Sequence, residues 1–362
     1  MAREQTIAER MREGGLSRRD FLKMCAMLAA TIGLHYSEAD KVVRAMEKKR
    51  RVPVLWLQMQ DCTGCSESFI RSSHPKAGSV LLDMISLEYS ELLSAASGHQ
   101  AEMARKRVMK EHDGEYLLVV EGSIPRQEYC ATIGGVSAKE LLLESARGAK
   151  AIIAYGTCSS WGGIAGAKPN PTEAVSVADL VTDKPVIRVP GCPPIGEVMT
   201  GVIAHMITFD RLPELDHLGR PKAFYRHRIH DKCNRRAYFD AGLFAESFDD
   251  EGAKQGYCLY KLGCKGPTTY NSCAEMRWNG GVGFPILSGN PCIGCSEKNF
   301  WDNGPLFVRR AKIPATQTTA DLDKIGLYTV GATVAGIAAH AAITAVKKKR
   351  TGSSADGGDS HE

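Results

Sequence analysis

Between His230 and Cys295 the chain carries one histidine and six cysteines in three local groups: His230 with Cys233, Cys258 with Cys264, and Cys273 with the pair in Pro291-Cys292-Ile293-Gly294-Cys295. Soft ligands at this density and spacing are what iron–sulfur clusters require, because each iron needs a deprotonated ligand and the backbone must fold tightly around a small inorganic core. Two other readings stay open on spacing alone, a disulfide scaffold and structural zinc at His-x-x-Cys or Cys-x-x-Cys. Disulfide scaffolds are short chains without a full core, whereas this chain has 362 residues. A zinc site wants four ligands, and Cys273, Cys292 and Cys295 make three.

The N-terminal half alternates short apolar runs with helical ones. Val52 to Met59, Tyr116 to Val120, Ala151 to Tyr155 and Pro185 to Val189 read as buried strands. Ala138 to Ala149 reads as a helix with Leu141, Leu142 and Ser145 on one side. This alternation predicts an α/β, flavodoxin-like, doubly wound parallel sheet. Cysteines follow three of the four strands: Cys62 and Cys65 in Asp61-Cys62-Thr63-Gly64-Cys65, Cys158 in Gly156-Thr157-Cys158, and Cys192 in Pro190-Gly191-Cys192-Pro193-Pro194. Ligands of doubly wound sheets bind beyond the carboxyl ends of the strands, so four thiolates converge there, enough for one four-iron cluster. A flavin site would place a hydroxyl- and glycine-rich phosphate loop after the first strand, where this chain has two cysteines. Glu121-Gly122-Ser123 closes the second strand at the same edge. It either orients the cluster, touches a partner, or is an ordinary capping loop. Cys25 and Cys130 have no companion nearby, and Cys130 reads as a buried thiol.

Both ends of the chain carry address information. Ser17-Arg18-Arg19-Asp20-Phe21-Leu22-Lys23 precedes the apolar run Met24 to Leu34, too short for a bilayer that needs about 20 residues. Residues 1–45 therefore read as a twin-arginine signal, the export route for proteins already folded around their cofactors. Val43-Arg44-Ala45 has the form of a cleavage site. At the other end, Ile325 to Val346 lacks Asp, Glu, Lys and Arg and gives about 33 Å of helix, long enough to cross a membrane. Lys347 to Arg350 follow, which puts the C-terminus in the cytoplasm and the body on the periplasmic side. Thr329, Ala332, Gly336, His340 and Thr344 share one small, polar face suited to a partner helix, and His340 reads either as a contact to a partner's cofactor or to a neighbouring helix. The net charge of +5 comes largely from Lys48 to Arg51 and Lys347 to Arg350. No basic face interleaved with aromatics accompanies these runs, so nucleic acid is not a partner.

Taken together, these residues resemble the small, electron-transferring subunit of membrane-bound uptake nickel–iron hydrogenases. The likeness covers nearly the whole chain, through the signal, Asp61 to Ser68, Gly156 to Cys158, Pro190 to Pro194, the His230/Cys233 pair, Cys258 to Cys264, and Asn290 to Glu297. It implies that Cys62, Cys65, Cys158 and Cys192 hold a proximal four-iron cluster beside the large subunit's active site. It implies that His230, Cys233, Cys258 and Cys264 hold a distal four-iron cluster, and that Cys273, Cys292 and Cys295 hold a medial three-iron cluster, with Pro285 near the place of a missing fourth cysteine. The cofactors are then two 4Fe-4S clusters and one 3Fe-4S cluster, with the Ni–Fe centre in the partner. No catalytic residue is expected in this chain, because every Cys-x-x-Cys pair is assigned to a cluster. The reaction implied is hydrogen oxidation at the large subunit, with electrons passed to a membrane cytochrome b and quinone, in a dimer of heterodimers. Oxygen-tolerant relatives carry two added cysteines where this chain has Gly64 and Gly163, so an oxygen-sensitive enzyme is expected.

The resulting organisation is a signal at 1–45, a flavodoxin-like domain at 46–225, a medial and distal cluster domain at 226–310, a linker at 311–324, a transmembrane helix at 325–346 and a cytoplasmic tail at 347–362. Two rival functions remain at this point. A relative of the complex I cluster subunit explains the flavodoxin-like half but neither the six-cysteine stretch nor the signal. A zinc-stabilised, membrane-anchored binding protein explains the stretch without redox activity.

Overall fold

The computed structural model describes residues 5–308, 310–312 and 319–352. Its centre is a five-stranded parallel sheet. The strands are β1 (Val52–Gln58), β2 (Ile85–Ser90), β3 (Leu117–Glu121), β4 (Ala151–Tyr155) and β5 (Val186–Val189), in the spatial order β2-β1-β3-β4-β5. This is the flavodoxin-like order of a doubly wound sheet. The four strands expected from sequence are present, and β2 is an edge strand that the pattern did not announce.

Both sheet faces are buried, so successive residues of one strand enter different cores. Val54, Trp56, Leu117, Val119, Ile153 and Ile187 face one core, and Leu55, Leu57, Leu118, Val120, Ile152 and Ala154 face the other. The first core is covered by helices α1 (Ile7–Glu13), α2 (Arg18–Thr31), α3 (Ala39–Lys48), α4 (Gly64–Ile70) and, further on, residues 196–209. The second is covered by α5 (Gly98–Glu111) and α6 (Ala138–Ala146). Helix α6 starts where the Ser137 hydroxyl accepts the Glu140 N–H. It buries Leu141, Leu142 and Ser145, as its periodicity predicts.

The N-terminal segment packs rather than trails. Ile7, Met11, Phe21, Cys25 and Leu28 lie in the first core beside Ile203 and Met206, while Arg18 and Arg19 stay exposed at the start of α2. Val43-Arg44-Ala45 lies inside α3 with Ala45 buried, so a peptidase reaches that bond only after α3 unwinds. Cys25 is fully buried, whereas Cys130, expected as a buried thiol, is only half-buried.

After α7 (Gly156–Trp161) and α8 (Gly196–Phe209), regular structure gives way. Residues 226–308 form single turns and bends around a small core of Ile229, Ala245, Leu259, Leu262, Phe284 and Ile286. In the expected linker, Arg310–Lys312 pairs antiparallel with Thr319–Asp321. Helix α9 (Leu322–Gly352) follows; within it Ile325–Lys347 is long and apolar enough to cross a membrane and is not buried by any of the described residues. The last ten residues of the expected tail, 353–362, lie outside the described residues.

Candidate metal centres

The parallel register places the ends of four strands side by side: Gln58 pairs with Glu121, Glu121 with Tyr155, and Tyr155 with Val189. Whatever follows these residues emerges at one edge. Cys62 and Cys65 emerge after β1, Cys158 after β4 and Cys192 after β5, close enough that each of the last three thiols feels others of the set as charges. Burial holds the Cys65 and Cys158 thiols above their ordinary range and pushes Cys192 up to about 11. Cys62 and Cys192 are the exposed members, so this group opens toward solvent on one side.

The backbone around the group is cut to fit sulfur. Gly156 has φ +91°, and a Cβ there would stand 2.4 Å from the Cys65 sulfur. Gly163 has φ +59°, and a Cβ there would stand 2.3 Å from the Cys158 sulfur. Only glycine allows both the conformation and the approach. Behind Cys65 lies Glu121, 1% exposed, whose carboxylate accepts the Cys65 and Ser66 N–H groups at 2.9 and 3.1 Å, the Ser66 hydroxyl, and the Trp56 indole N–H at 3.3 Å. Glu121 therefore caps α4 and fixes the ligand backbone together, which joins two of the readings left open by sequence. Burial raises its pKa, against the pull of those hydrogen bonds.

The second group surrounds a cavity of about 650 Å³ lined by Cys273, Cys292 and Cys295, with Pro285 at its edge and Cys192 of the first group in its wall. Burial pushes all three thiols up to about 12, so without a metal they are neutral. Cys273 lies beside the Trp278 side chain and Cys295 beside the Cys192 peptide, while the Thr269 hydroxyl near Cys292 donates to the Lys265 carbonyl at 2.7 Å. The third group, His230, Cys233, Cys258 and Cys264, lines a separate cavity. The His230 ring stands edge-on to Phe239 at 4.5 Å. Backbone N–H groups of Arg235 and Gly266 donate to the Cys233 and Cys264 sulfurs, each at 3.4 Å.

All twelve cysteines are free thiols, so the disulfide reading fails. The donor sets fit iron–sulfur clusters. Buried thiols without partners are costly, soft metal deprotonates them, and N–H donors aimed at sulfur stabilise the thiolate form. Sequence reasoning gathered the eleven ligand candidates into the three groups the structure brings together. It missed Trp278 and Thr269, which carry no spacing signal of their own.

Two family models match successive parts of the chain. The family model for the NADH ubiquinone oxidoreductase 20 Kd subunit matches residues 62–206, and that for the C-terminal region of the NiFe/NiFeSe hydrogenase small subunit matches 225–308. The first match is the complex I likeness of the sheet domain; the second is what that rival leaves unexplained. The uptake hydrogenase small subunit of Azotobacter vinelandii is 54% identical over 96% of this chain and 98% of its own length. That of Alcaligenes hydrogenophilus is 55% identical over 96% of each. The reduced, active NiFeSe hydrogenase of Desulfomicrobium baculatum superimposes with a TM-score of 0.67 at 36% identity, covering 72% of this chain and all of that one. The sheet with cysteines at its carboxyl edge, the six-cysteine region after it and these full-length likenesses have one explanation: the chain belongs to the family of uptake NiFe hydrogenase small subunits, the electron-transferring member of the hydrogenase heterodimer.

Proposed function

We propose that this subunit holds three clusters in line. Cys62, Cys65, Cys158 and Cys192 ligate a proximal 4Fe-4S cluster. Cys273, Cys292 and Cys295 ligate a medial 3Fe-4S cluster. His230, Cys233, Cys258 and Cys264 ligate a distal 4Fe-4S cluster. When bound, such clusters accept and release single electrons without making or breaking substrate bonds. The observation that carries the reading is the contact between groups. Cys192 lines the same cavity as Cys273, Cys292 and Cys295, and the Cys292 N–H meets the Cys264 sulfur at 3.4 Å. The second group thus touches both others, which is the order a wire needs.

The protein's own residues then set direction. The medial site offers three thiolates rather than four, and the distal site replaces one thiolate with a neutral imidazole. Both changes remove negative charge near iron and raise the potential relative to a four-cysteine site. The open side of the proximal group, at Cys62 and Cys192, faces the large subunit and its Ni–Fe centre. The distal group faces the electron acceptor, a membrane cytochrome b that reduces quinone.

The terminal segments fit the same reading. Residues 1–45 act as a twin-arginine signal, with Arg18 and Arg19 exposed to a receptor. Residues 46–225 and 226–310 form the two cluster-bearing domains, 311–324 the link, 325–346 the membrane span and 347–362 a cytoplasmic tail. The folded body sits on the periplasmic side, His340 faces the cytochrome within the membrane, and heterodimers associate in pairs. Purification of the complex from its host tests the reading. A large nickel-containing chain should copurify, and the oxidised sample should show the electron paramagnetic resonance signal of a three-iron cluster. Zinc in place of iron, or a single four-iron centre, overturns it.

A further inference from the structure

Thr157 stands between two of the three groups without being a ligand. It is 2% exposed, on the first turn of α7, immediately before Cys158. Its hydroxyl donates to the carbonyl of Cys295. The Gly191 N–H donates back to the same hydroxyl oxygen at 3.0 Å, and the Thr157 N–H donates to the Gly191 carbonyl at 2.8 Å. One side chain thereby ties together the helix that carries Cys158, the peptide that precedes Cys192, and the carbonyl of Cys295. Both the donor and an acceptor position of the hydroxyl are used, in a site closed to water.

What these bonds hold in place is the meeting of the first two groups, where Cys192 and Cys295 line one cavity at the boundary between the sheet domain and the cluster region. The other junction needs no such side chain. There the Cys292 N–H reaches the Cys264 sulfur at 3.4 Å and the Lys265 N–H returns to the Cys292 carbonyl at 2.7 Å, so adjoining backbone closes the contact by itself. The proximal-to-medial junction joins segments more than a hundred residues apart in sequence. A side chain with both a donor and an acceptor is the smallest device that fixes both segments at once.

We infer that Thr157 is a positioning residue for electron transfer between the proximal and medial centres, its hydroxyl holding the Cys295 carbonyl against the helix that carries Cys158 so that one hydrogen-bonded path joins them. The inference rests on the cluster assignment proposed above. One electron leaves the reduced proximal centre and reduces the oxidised medial centre, with no bond formed or broken; hydrogen oxidised at the large subunit is the reductant. Other contacts keep the two parts docked when the hydroxyl is removed. The Trp161 indole donates to the Ser296 carbonyl at 3.2 Å, and the Arg220 guanidinium donates to the Glu297 carboxylate at 3.4 Å.

The test uses the intact heterodimer with Thr157→Val, which keeps the shape and loses both hydrogen bonds, and Thr157→Ser, which keeps the hydroxyl. Iron content and the three-iron signal are measured first. Then the rate of proximal-to-medial electron transfer after rapid reduction and the magnetic splitting between the two centres are measured. T157V is expected to retain its iron, to transfer electrons several-fold more slowly and to show a weaker splitting, while T157S restores both. An iron-replete T157V with wild-type rate and splitting overturns the inference, as does a T157S that behaves like T157V. Thr157→Ala serves if T157V fails to assemble. If both hydroxyl-free variants lack iron, the residue builds the site rather than couples it, and the inference falls. A wild-type complex without iron sinks the cluster assignment instead.

Discussion

Cys62, Cys65, Cys158 and Cys192 are carried by strand ends whose two faces are buried in cores of dozens of apolar side chains, whereas the remaining seven ligand candidates are carried by bends around a core of a handful. The sheet would hold its edge in place with or without metal. Residues 226–308 bury too little apolar surface to offset the entropy of ordering an irregular backbone. On the cluster assignment proposed above, the clusters are therefore guests of the first region and part of the fold in the second. The two regions also differ in how they set thiol chemistry. Cys192 is exposed, while Cys273, Cys292 and Cys295 have burial pushing their thiols up to about 12.

The largest expected effect follows from that contrast. Anaerobic removal of iron should cost residues 226–308 several kcal/mol of local stability, on the scale of a structural metal site at about 10 kcal/mol of binding. Backbone amides of β3 and β4 should keep most of their protection. Hydrogen exchange on the iron-free and iron-replete subunit reads both regions in one experiment. If they open together, the contrast is wrong.

Next in size is the proximal cradle, where two glycines differ. At Gly163 a Cβ meets both a positive φ and the Cys158 side chain, with the ligand's own Cα 2.6 Å away; at Gly64 φ is helical and the nearest atom is the Cys62 sulfur at 3.2 Å. Gly163→Ala should destabilise by about 3 kcal/mol and lower proximal iron occupancy, and Gly64→Ala by about 1 kcal/mol or less. Thermal unfolding and iron content check both. The family resemblance implies that these are also the positions at which oxygen-tolerant members carry cysteine. A side chain at 163 requires Cys158 to move, so tolerance needs a reshaped cluster and not merely an added thiol. Hydrogen oxidation by the complex should fail in air; sustained turnover there would count against this.

How much of this was legible in the sequence divides along the same line. The strand ends were legible because a buried parallel strand is a continuous apolar run and its cysteines follow at once. Strand β2 was not, since Ile85 to Ser90 continues from Val80-Leu81-Leu82-Asp83-Met84 without a glycine or proline to mark the change of conformation. The cysteine spacing of 230–295 announced a metal region, but spacing along a chain does not say that Cys192 would sit in the wall of the cavity formed by Cys273, Cys292 and Cys295. Nor could it show Thr157, whose role depends on a carbonyl 138 residues away. The two apolar ends make the same point: Met24 to Leu34 and Ile325 to Val346 are both apolar runs, yet the first completes a core against α8 and the second is buried by none of the described residues. Complementarity between distant surfaces is what local patterns do not carry.

A smaller effect is expected behind the proximal ligands. Glu121→Gln keeps the shape but replaces a carboxylate that takes four donors, two on each oxygen, with an amide that must turn an NH₂ toward two of them. Loss of a buried, charge-assisted contact should cost about 1–3 kcal/mol in thermal unfolding. If the variant is as stable as wild type, Glu121 serves the cluster or the partner rather than the fold of α4.

The smallest effect on stability, and the sharpest on chemistry, belongs to Pro285. It lies exposed at the edge of the medial cavity, on a turn that is not part of any strand or helix, where the Asn290 N–H returns to its carbonyl at 2.9 Å. Its own missing N–H leaves no hydrogen bond to lose, so Pro285→Cys should shift thermal unfolding little, within about 1 kcal/mol. The new thiolate would stand beside a three-cysteine site and supply the fourth ligand. Redox titration should then show the three-iron signal replaced by a four-iron centre at lower potential, because a thiolate adds negative charge next to iron. An unchanged three-iron signal would mean that the turn holds residue 285 too far from the cavity's centre, and that ligand number there is set by the backbone of 283–289 rather than by the choice of side chain. Either outcome separates the two regions further: at the sheet edge ligand number is fixed by which residues follow the strands, while in the loops it depends on where an irregular turn can reach.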